Sequence, residues 1–171
     1  HVSADALEMK TAPIVGFFIS IFNYFSNFRD RLALSEIVHF YYIHVLNSEN
    51  SDHYSLSNEE KLNLLPSQFK NNLFSISRLP IYDMVEELIR IFKLQKIKNQ
   101  LPFLQSFTDL ILEYKQSKGK EITSFLDWWE KNGNKKLSLS SQSNAIQLIT
   151  IHKSKGLEVN FVIMPFFNWT L

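Results

Sequence analysis

The residues best suited to chemistry stand together near the C-terminus, in the run Ala145-Ile146-Gln147-Leu148-Ile149-Thr150-Ile151-His152-Lys153-Ser154-Lys155-Gly156-Leu157-Glu158. Two fixed positive charges, an imidazole and a hydroxyl follow directly on an aliphatic stretch, and Gly156 lets the backbone bend or approach another group closely. Ile146, Leu148 and Thr150 alternate and the β-branched residues continue to Ile151, so the stretch reads as a short buried strand ending in a polar turn. Phe161-Val162-Ile163-Met164-Pro165 reads as a second buried strand. Ligands of α/β domains bind at the carboxyl ends of strands, and a basic turn there suits an anion such as a phosphate. Lysines simply solvated in a turn between two strands are the plainer reading of the same residues.

Composition narrows the class of protein. Hydrophobic residues make up 45% and charged residues 20% of 171, which fits a globular chain with one core, or with one domain and part of another. The formal net charge is only +1, so contacts with nucleic acid must come from local clusters rather than a global field. Without cysteine, disulfides, zinc–thiolate sites and thiol catalysis are excluded, and a reducing compartment fits. The most apolar stretch, Ile14 to Phe28, is too short and too polar to span a membrane, and no signal peptide is read; a cytoplasmic place without membrane contact is expected. Phe is abundant (15) and Gly scarce (four), which favours helices joined by polar loops.

The elements that must position the basic turn are mainly helical. Residues 1–10 read as irregular or as a strand end. Thr11 is expected to cap a helix with Pro13 in its first turn and Ile14, Val15, Phe18, Ile21, Phe22 and Phe25 on one wide apolar face. A second helix from Asp30 or Ser35 carries Leu32, Ile37, Val38, Tyr41, Val45 and Leu46; His39 and His44, five apart, are wrongly spaced for two metal ligands on one α-helical face. Asn47 to Tyr54 reads as a loop. Ser57-Asn58-Glu59-Glu60 fits a capping box. Pro66 ends that helix, and a short one follows through Phe69 to Leu73.

Pro80, at a first helical position, introduces the clearest amphipathic helix, with Ile81, Met84, Val85, Leu88, Ile89 and Phe92 inward and Asp83, Glu86, Glu87 and Arg90 outward. Lys93, Lys96 and Lys98 follow; they compensate the helix dipole, or contact a DNA phosphate. Pro102 opens a helix with Phe103, Phe107, Leu110, Ile111 and Tyr114 inward, closed by Lys115, Lys118, Gly119 and Lys120. Thr123 is expected to cap the last helix, in which one of Trp128 and Trp129 fills the core and the other lies at its edge. Residues 134–144, rich in Lys, Ser and Asn, read as a linker.

The run Thr150 to Glu158, followed by a strand ending in Pro165, closely resembles motif V of the superfamily 1 helicases of the UvrD/Rep type. Its variant His152-Lys153-Ser154-Lys155-Gly156-Leu157-Glu158 is most similar to the RecB/AddA, exonuclease V-like helicase-nuclease branch. Leu79 to Val85 and Phe125 to Glu130 also look like elements of the 2B insertion in AddA-like proteins. Val159-Asn160 departs from the family's usual Phe-Pro.

The resemblance implies a mainly α fold: a helical 2B-like accessory domain over 11–133, a linker over 134–144, and over 145–171 a short β stub of the RecA-like α/β domain 2A, with 1–10 as its possible other end. It implies that Thr150 and His152 contact the backbone of single-stranded DNA, supported by Lys153, Ser154 and Lys155. Gly156 and Glu158 would lie on the nucleotide side, Glu158 accepting hydrogen bonds from the ATP ribose. The function implied is that of an ATP-dependent DNA helicase, or helicase-nuclease, of repair and recombination. ATP and magnesium are expected in the parent chain, and no cofactor in this region alone.

The implied partners are single-stranded DNA at the motif, duplex DNA at the helical domain, the rest of the helicase chain and a nuclease partner subunit. No phosphate loop, magnesium-holding acidic pair or arginine-finger segment is present in the sequence, so the region by itself is not expected to hydrolyse ATP. The competing expectation is a stand-alone helical interaction module without ATPase activity.

Overall fold

The computed structural model describes residues 2–3, 9–48, 54–117, 119, 121–133 and 147–148. The described residues are mainly α-helical. Among the described residues eight α-helices run in order: α1 Pro13–Ser26, α2 Arg31–Phe40, α3 Asn58–Asn63, α4 Ser67–Asn71, α5 Leu73–Ser77, α6 Ile81–Phe92, α7 Leu101–Ser117 and α8 Ile122–Asn132. Strand β1, Val2–Ser3, pairs in parallel with β2, Gln147–Leu148, with Val2 opposite Gln147 and Ser3 opposite Leu148. Parallel neighbours cannot be joined by a tight turn, so the whole helical body lies in the connection between them.

The centre of the body is α1. Pro13 opens it at a position where a missing N–H costs nothing. Ile14, Val15, Phe18, Ile21, Phe22 and Phe25 are all buried, as their spacing predicts, but Phe17, Ser20 and Tyr24 are buried too. The helix is thus covered nearly all round, leaving only a narrow exposed stripe through Pro13, Gly16, Asn23 and Ser26. Phe17 stacks on Phe40 of α2 (centroids 4.5 Å) and meets Phe92 of α6 edge-on at 4.9 Å. Phe18 stacks on Phe107 of α7 at 5.1 Å, and Phe22 meets Phe125 of α8 edge-on at 5.7 Å. Each such pair contributes about 0.5–1.5 kcal/mol beyond its buried area.

The helix ends depart from the sequence reading in instructive places. Thr11 lies in a 3-10 turn, Met9–Thr11, one residue too early, and Ala12 holds the N-cap position without a side-chain bond. The buried Gln100 instead accepts from the Ile14 N–H, at 3.4 Å, bringing a partner for α1's first turn from the 3-10 turn just before α7. Thr123 likewise sits inside α8, whose N-cap is Glu121. Pro80 is the N-cap of α6, not its first residue.

Asp30 caps α2 as a side-chain acceptor for the Leu32 and Ala33 N–H groups at 3.0 and 2.9 Å. The predicted capping box is present, with Glu60 accepting from the Ser57 N–H at 2.8 Å and Ser57 accepting from the Glu60 N–H at 3.3 Å.

Two apolar residues expected along the second helix are exposed, Leu32 at 65% and Leu46 at 49%. Ile89 and Phe103 are partly buried and pack against the core as expected, with Ile91 and Leu104 buried beside them. Trp129 is buried and Trp128 half-buried, as adjacent helical positions require. A Cβ at Gly133 would come within 2.8 Å of the Trp129 ring, so glycine there lets the indole lie against the chain as α8 ends.

One charged side chain is buried without a sequence signal: Lys61 of α3 is 1% exposed, its Nζ reaching the Tyr54 carbonyl at 3.4 Å. Burial pushes its pKa down, and the nearby Arg31 charge adds to the effect. No described helix is long and apolar enough to cross a membrane.

Truncating Phe22, which is fully buried between α7 and α8, is expected to cost about 3–5 kcal/mol; urea unfolding of Phe22→Ala measures it. Asp30→Ala should cost about 1 kcal/mol through loss of the α2 cap, read in the same way. The carboxyl of Glu60 is held below its ordinary value by the Ser57 hydroxyl and then by the Ser57 N–H. Its folded pKa being the lower, this stabilisation is present above the unfolded value and is lost as pH falls through the folded one. Thermal unfolding from neutral to acid pH should therefore decline less steeply for Glu60→Gln than for the parent sequence.

Candidate functional site

The residues singled out for chemistry, Thr150, His152, Lys153, Ser154, Lys155, Gly156 and Glu158, lie outside the described residues, as do the predicted linker 134–144 and the strand through Pro165. The described part of their segment is β2, which enters the motif from Gln147–Leu148 alongside β1.

What the described residues do assemble is a cleft of about 970 Å³ on the helical body, formed by three stretches far apart in sequence. The first is the continuation of α2. At Tyr41 the chain widens into a π-helix, Tyr41–Val45, closed by the Leu46 N–H on the Tyr41 carbonyl at 3.0 Å and by the Ser48 N–H on the Tyr42 carbonyl at 2.9 Å. Asn47 follows at φ 52°, a left-handed conformation that asparagine tolerates. The second stretch is the entry to α4 at Pro66, Ser67 and Gln68. The third is the end of α6 and the 3-10 turns after it, with Lys93, Lys96 and Lys98.

Lys93 itself caps α6 in the left-handed region, φ 54° and ψ 39°, where its N–H bonds the Ile89 carbonyl. A side chain there costs about 1–2 kcal/mol, and glycine is the usual occupant. No Asp or Glu among the described residues lines the cleft, whereas three exposed lysines do.

The sequence reading placed Lys93, Lys96 and Lys98 together after α6, and they are together. It did not find the π-helix. His39 lies in α2 and His44 in the π-helix, so the two do not share one regular α-helix. Burial holds the His44 imidazole below its ordinary pKa, and the charge of His39 lowers it further. His44 is therefore neutral at pH 7 and offers hydrogen bonds rather than charge. No group of three or more His, Cys, Asp or Glu that could hold a metal ion occurs among the described residues.

Helical body and basic motif are joined by a finding from sequence comparison. The family model of the UvrD-like helicase C-terminal domain matches residues 42–168, about three quarters of the chain, from the π-helix through the basic turn. The chain belongs to the UvrD-like helicase C-terminal domain family, a domain of ATP-dependent DNA helicases. Comparison with curated proteins and with solved structures gives no match.

The left-handed cap supplies a charge-matched test. Lys93→Gly and Lys93→Ala remove the same cation, but only alanine keeps a Cβ at φ 54°; the glycine variant should be the more stable by about 1 kcal/mol, measured by urea unfolding of the pair.

Proposed function

We propose that the chain is the accessory region of a UvrD-like DNA helicase, a helical 2B-like insertion followed by the start of the 2A motor domain, in which the turn after β2 couples ATP to single-stranded DNA. The observation that carries this reading is the run Thr150 to Glu158, with its order of hydroxyl, imidazole, two lysines, glycine and carboxylate, lying within the span of the family match. The passage of that match through both the helical body and the motif favours it over a stand-alone interaction module. The parallel pairing of β1 with β2 supports it further, since a helical body strung between neighbouring parallel strands is what an insertion into a sheet domain produces.

In this reading Thr150 and His152 donate hydrogen bonds to phosphodiester oxygens at the end of the strand, where hydroxyl and imidazole N–H are suitable donors. Lys153, Ser154 and Lys155 keep the turn electropositive. Glu158 accepts from the ribose hydroxyls of ATP, and Gly156 allows the backbone to come close. These groups complete one edge of a nucleotide site; the phosphate-holding and magnesium-holding groups belong to the remainder of the motor. ATP, when bound there, supplies the free energy of phosphoryl transfer that drives movement along DNA. The order of residues in the turn favours the RecB/AddA branch, whose members work with a nuclease in recombinational repair, and thus a helicase-nuclease with exonuclease V-like activity.

The test is made in the intact protein. Glu158→Ala should raise the KM for ATP roughly 10–100-fold, and His152→Ala should weaken single-stranded DNA binding by a similar factor, each being the loss of a hydrogen bond to a charged group. Steady-state ATP turnover with and without single-stranded DNA measures both. DNA-stimulated turnover that survives the double substitution overturns the reading.

A further inference from the structure

We infer that the cleft between the π-helix, the entry to α4 and the end of α6 is a docking groove for an acidic amphipathic helix of a partner protein, whose apolar side chains cover Leu46 and the aliphatic floor while its carboxylates meet Lys93 and Lys96. The inference goes beyond the reading of the basic motif and does not depend on it, because every lining residue belongs to the helical body.

The groove makes two demands of one occupant. Its floor and lip are apolar: Ile91, Phe92 and Ile97 are buried beneath it, and Leu46 lines it with 49% of its surface in water. Its rim is cationic: Lys93, Lys96 and Lys98 are exposed, none forms an ion pair with a described residue, and no described carboxylate lines the cleft. A sugar-phosphate backbone would satisfy the lysines and leave Leu46 wet. Tyr41, the ring that could stack on a base, is already engaged, edge-on against Phe92 at 5.6 Å and against Tyr42 at 6.0 Å. An uncharged aliphatic ligand would cover the floor and leave the ammonium groups at its edge partly dehydrated and unpaired. A segment with carboxylates on one side and leucine-like residues on the other answers both demands, with the apolar centre and charged rim of a protein interface.

Backbone geometry sets the spacing within that segment. Lys93 ends α6 in the left-handed region and at once opens the 3-10 turn Leu94–Lys96, so Lys96 follows it by three residues. In 3-10 geometry side chains three apart eclipse, and at about 2 Å per residue they stand roughly 6 Å apart along the axis. One turn of an α-helix rises about 5.4 Å. Carboxylates three or four residues apart on a docked helix therefore face both lysines together, and its other side is turned to the floor, as in helix-in-groove recognition. His44, held neutral by burial, lines the same groove and adds a hydrogen-bonding group without a charge. At about 970 Å³ the cleft has room for several side chains rather than one.

The experiment measures, by fluorescence anisotropy in the intact protein, the binding of a labelled synthetic peptide of about 14 residues, or four helical turns, with leucines on one face and glutamates three and four apart on the other. One comparison peptide has glutamine for every glutamate, and a second has serine for every leucine. Each should bind at least about tenfold more weakly than the leucine–glutamate peptide, through loss of charge-assisted hydrogen bonds in the first and of apolar burial in the second. Changing Lys93→Gln and Lys96→Gln together should weaken the leucine–glutamate peptide about tenfold and leave the glutamine peptide as it was. Leu46→Ser, at a position half in water, should weaken it roughly fivefold, whereas Lys131→Gln, exposed on α8, should change nothing. Far-ultraviolet circular dichroism verifies that each variant remains helical. Failure of the leucine–glutamate peptide to bind overturns the groove, as does equal binding by the glutamine peptide. Equal binding by the serine peptide reduces the contact to attraction between opposite charges and overturns it too. If DNA displaces the peptide, and DNA affinity falls in the lysine variant but not in Leu46→Ser, the groove belongs to nucleic acid and the inference fails. Peptide binding needs neither ATP nor DNA, so an absence of DNA-stimulated turnover defeats the helicase reading alone.

Discussion

The helical body depends on one constraint: α1 carries aromatic and aliphatic residues on almost every side and must be enclosed. A helix with a single apolar stripe can lie on a surface, whereas one apolar nearly all round has to be surrounded. Adjacent Phe17 and Phe18 make the point. They face different neighbours, one reaching Phe40 and Phe92, the other Phe107. Phe22 adds Phe125, and Phe25 adds Phe69 at 6.0 Å. Four elements besides α2 are thereby tied to one axis through rings rather than through hydrogen bonds. The polar links to α1 are few: Ser20 donates to Glu36 at 2.5 Å, and Gln100 accepts from Ile14. Regular, tightly packed helices on this axis leave irregular backbone to the periphery, where the cleft is.

How far this was legible in the sequence follows from which signals are local. Spacings of three and four residues in α1, α6 and α7 predicted helices, because periodicity reports the side facing the core. The capping box at Ser57 and Glu60 was readable for the same reason: both partners lie within one turn. Caps made from afar were not. Thr11 and Thr123 have the right residue type, but entry of the chain through Ala12 and Glu121 gives the role to the backbone there, and Gln100 reaches α1 from a different helix. Burial of Lys61 was illegible too, since nothing near it in sequence marks a lysine whose surroundings are supplied by folding.

The two candidate sites differ in the same way. Motif residues from Thr150 to Glu158 are contiguous, so their pattern is visible in the chain whatever the rest does. The cleft is built from residues in the forties, sixties and nineties, and its defining features are a π-turn and two left-handed residues that no composition rule announces. Lys93, Lys96 and Lys98 could be seen as a cluster, but dipole compensation explained them equally well. Only the left-handed backbone of Lys93 and the missing carboxylates weigh against that plainer account.

Near-neutrality of the chain sets the character of any contact with nucleic acid. With a net charge of +1 there is no long-range field to draw a polyanion in, and charges are instead sorted along elements. On α6 the acidic Asp83 stands in the first turn, where the helix dipole favours it, Glu86 and Glu87 stand mid-helix, and the lysines follow at its end. Screening at physiological salt confines such a cluster to about 8 Å. A basic cluster in a balanced chain therefore acts on a phosphate backbone only once that backbone is already close, after some other contact has brought it there. On the reading proposed above, that other contact is the motif following β2, with the turn from Thr150 to Glu158 meeting nucleotide.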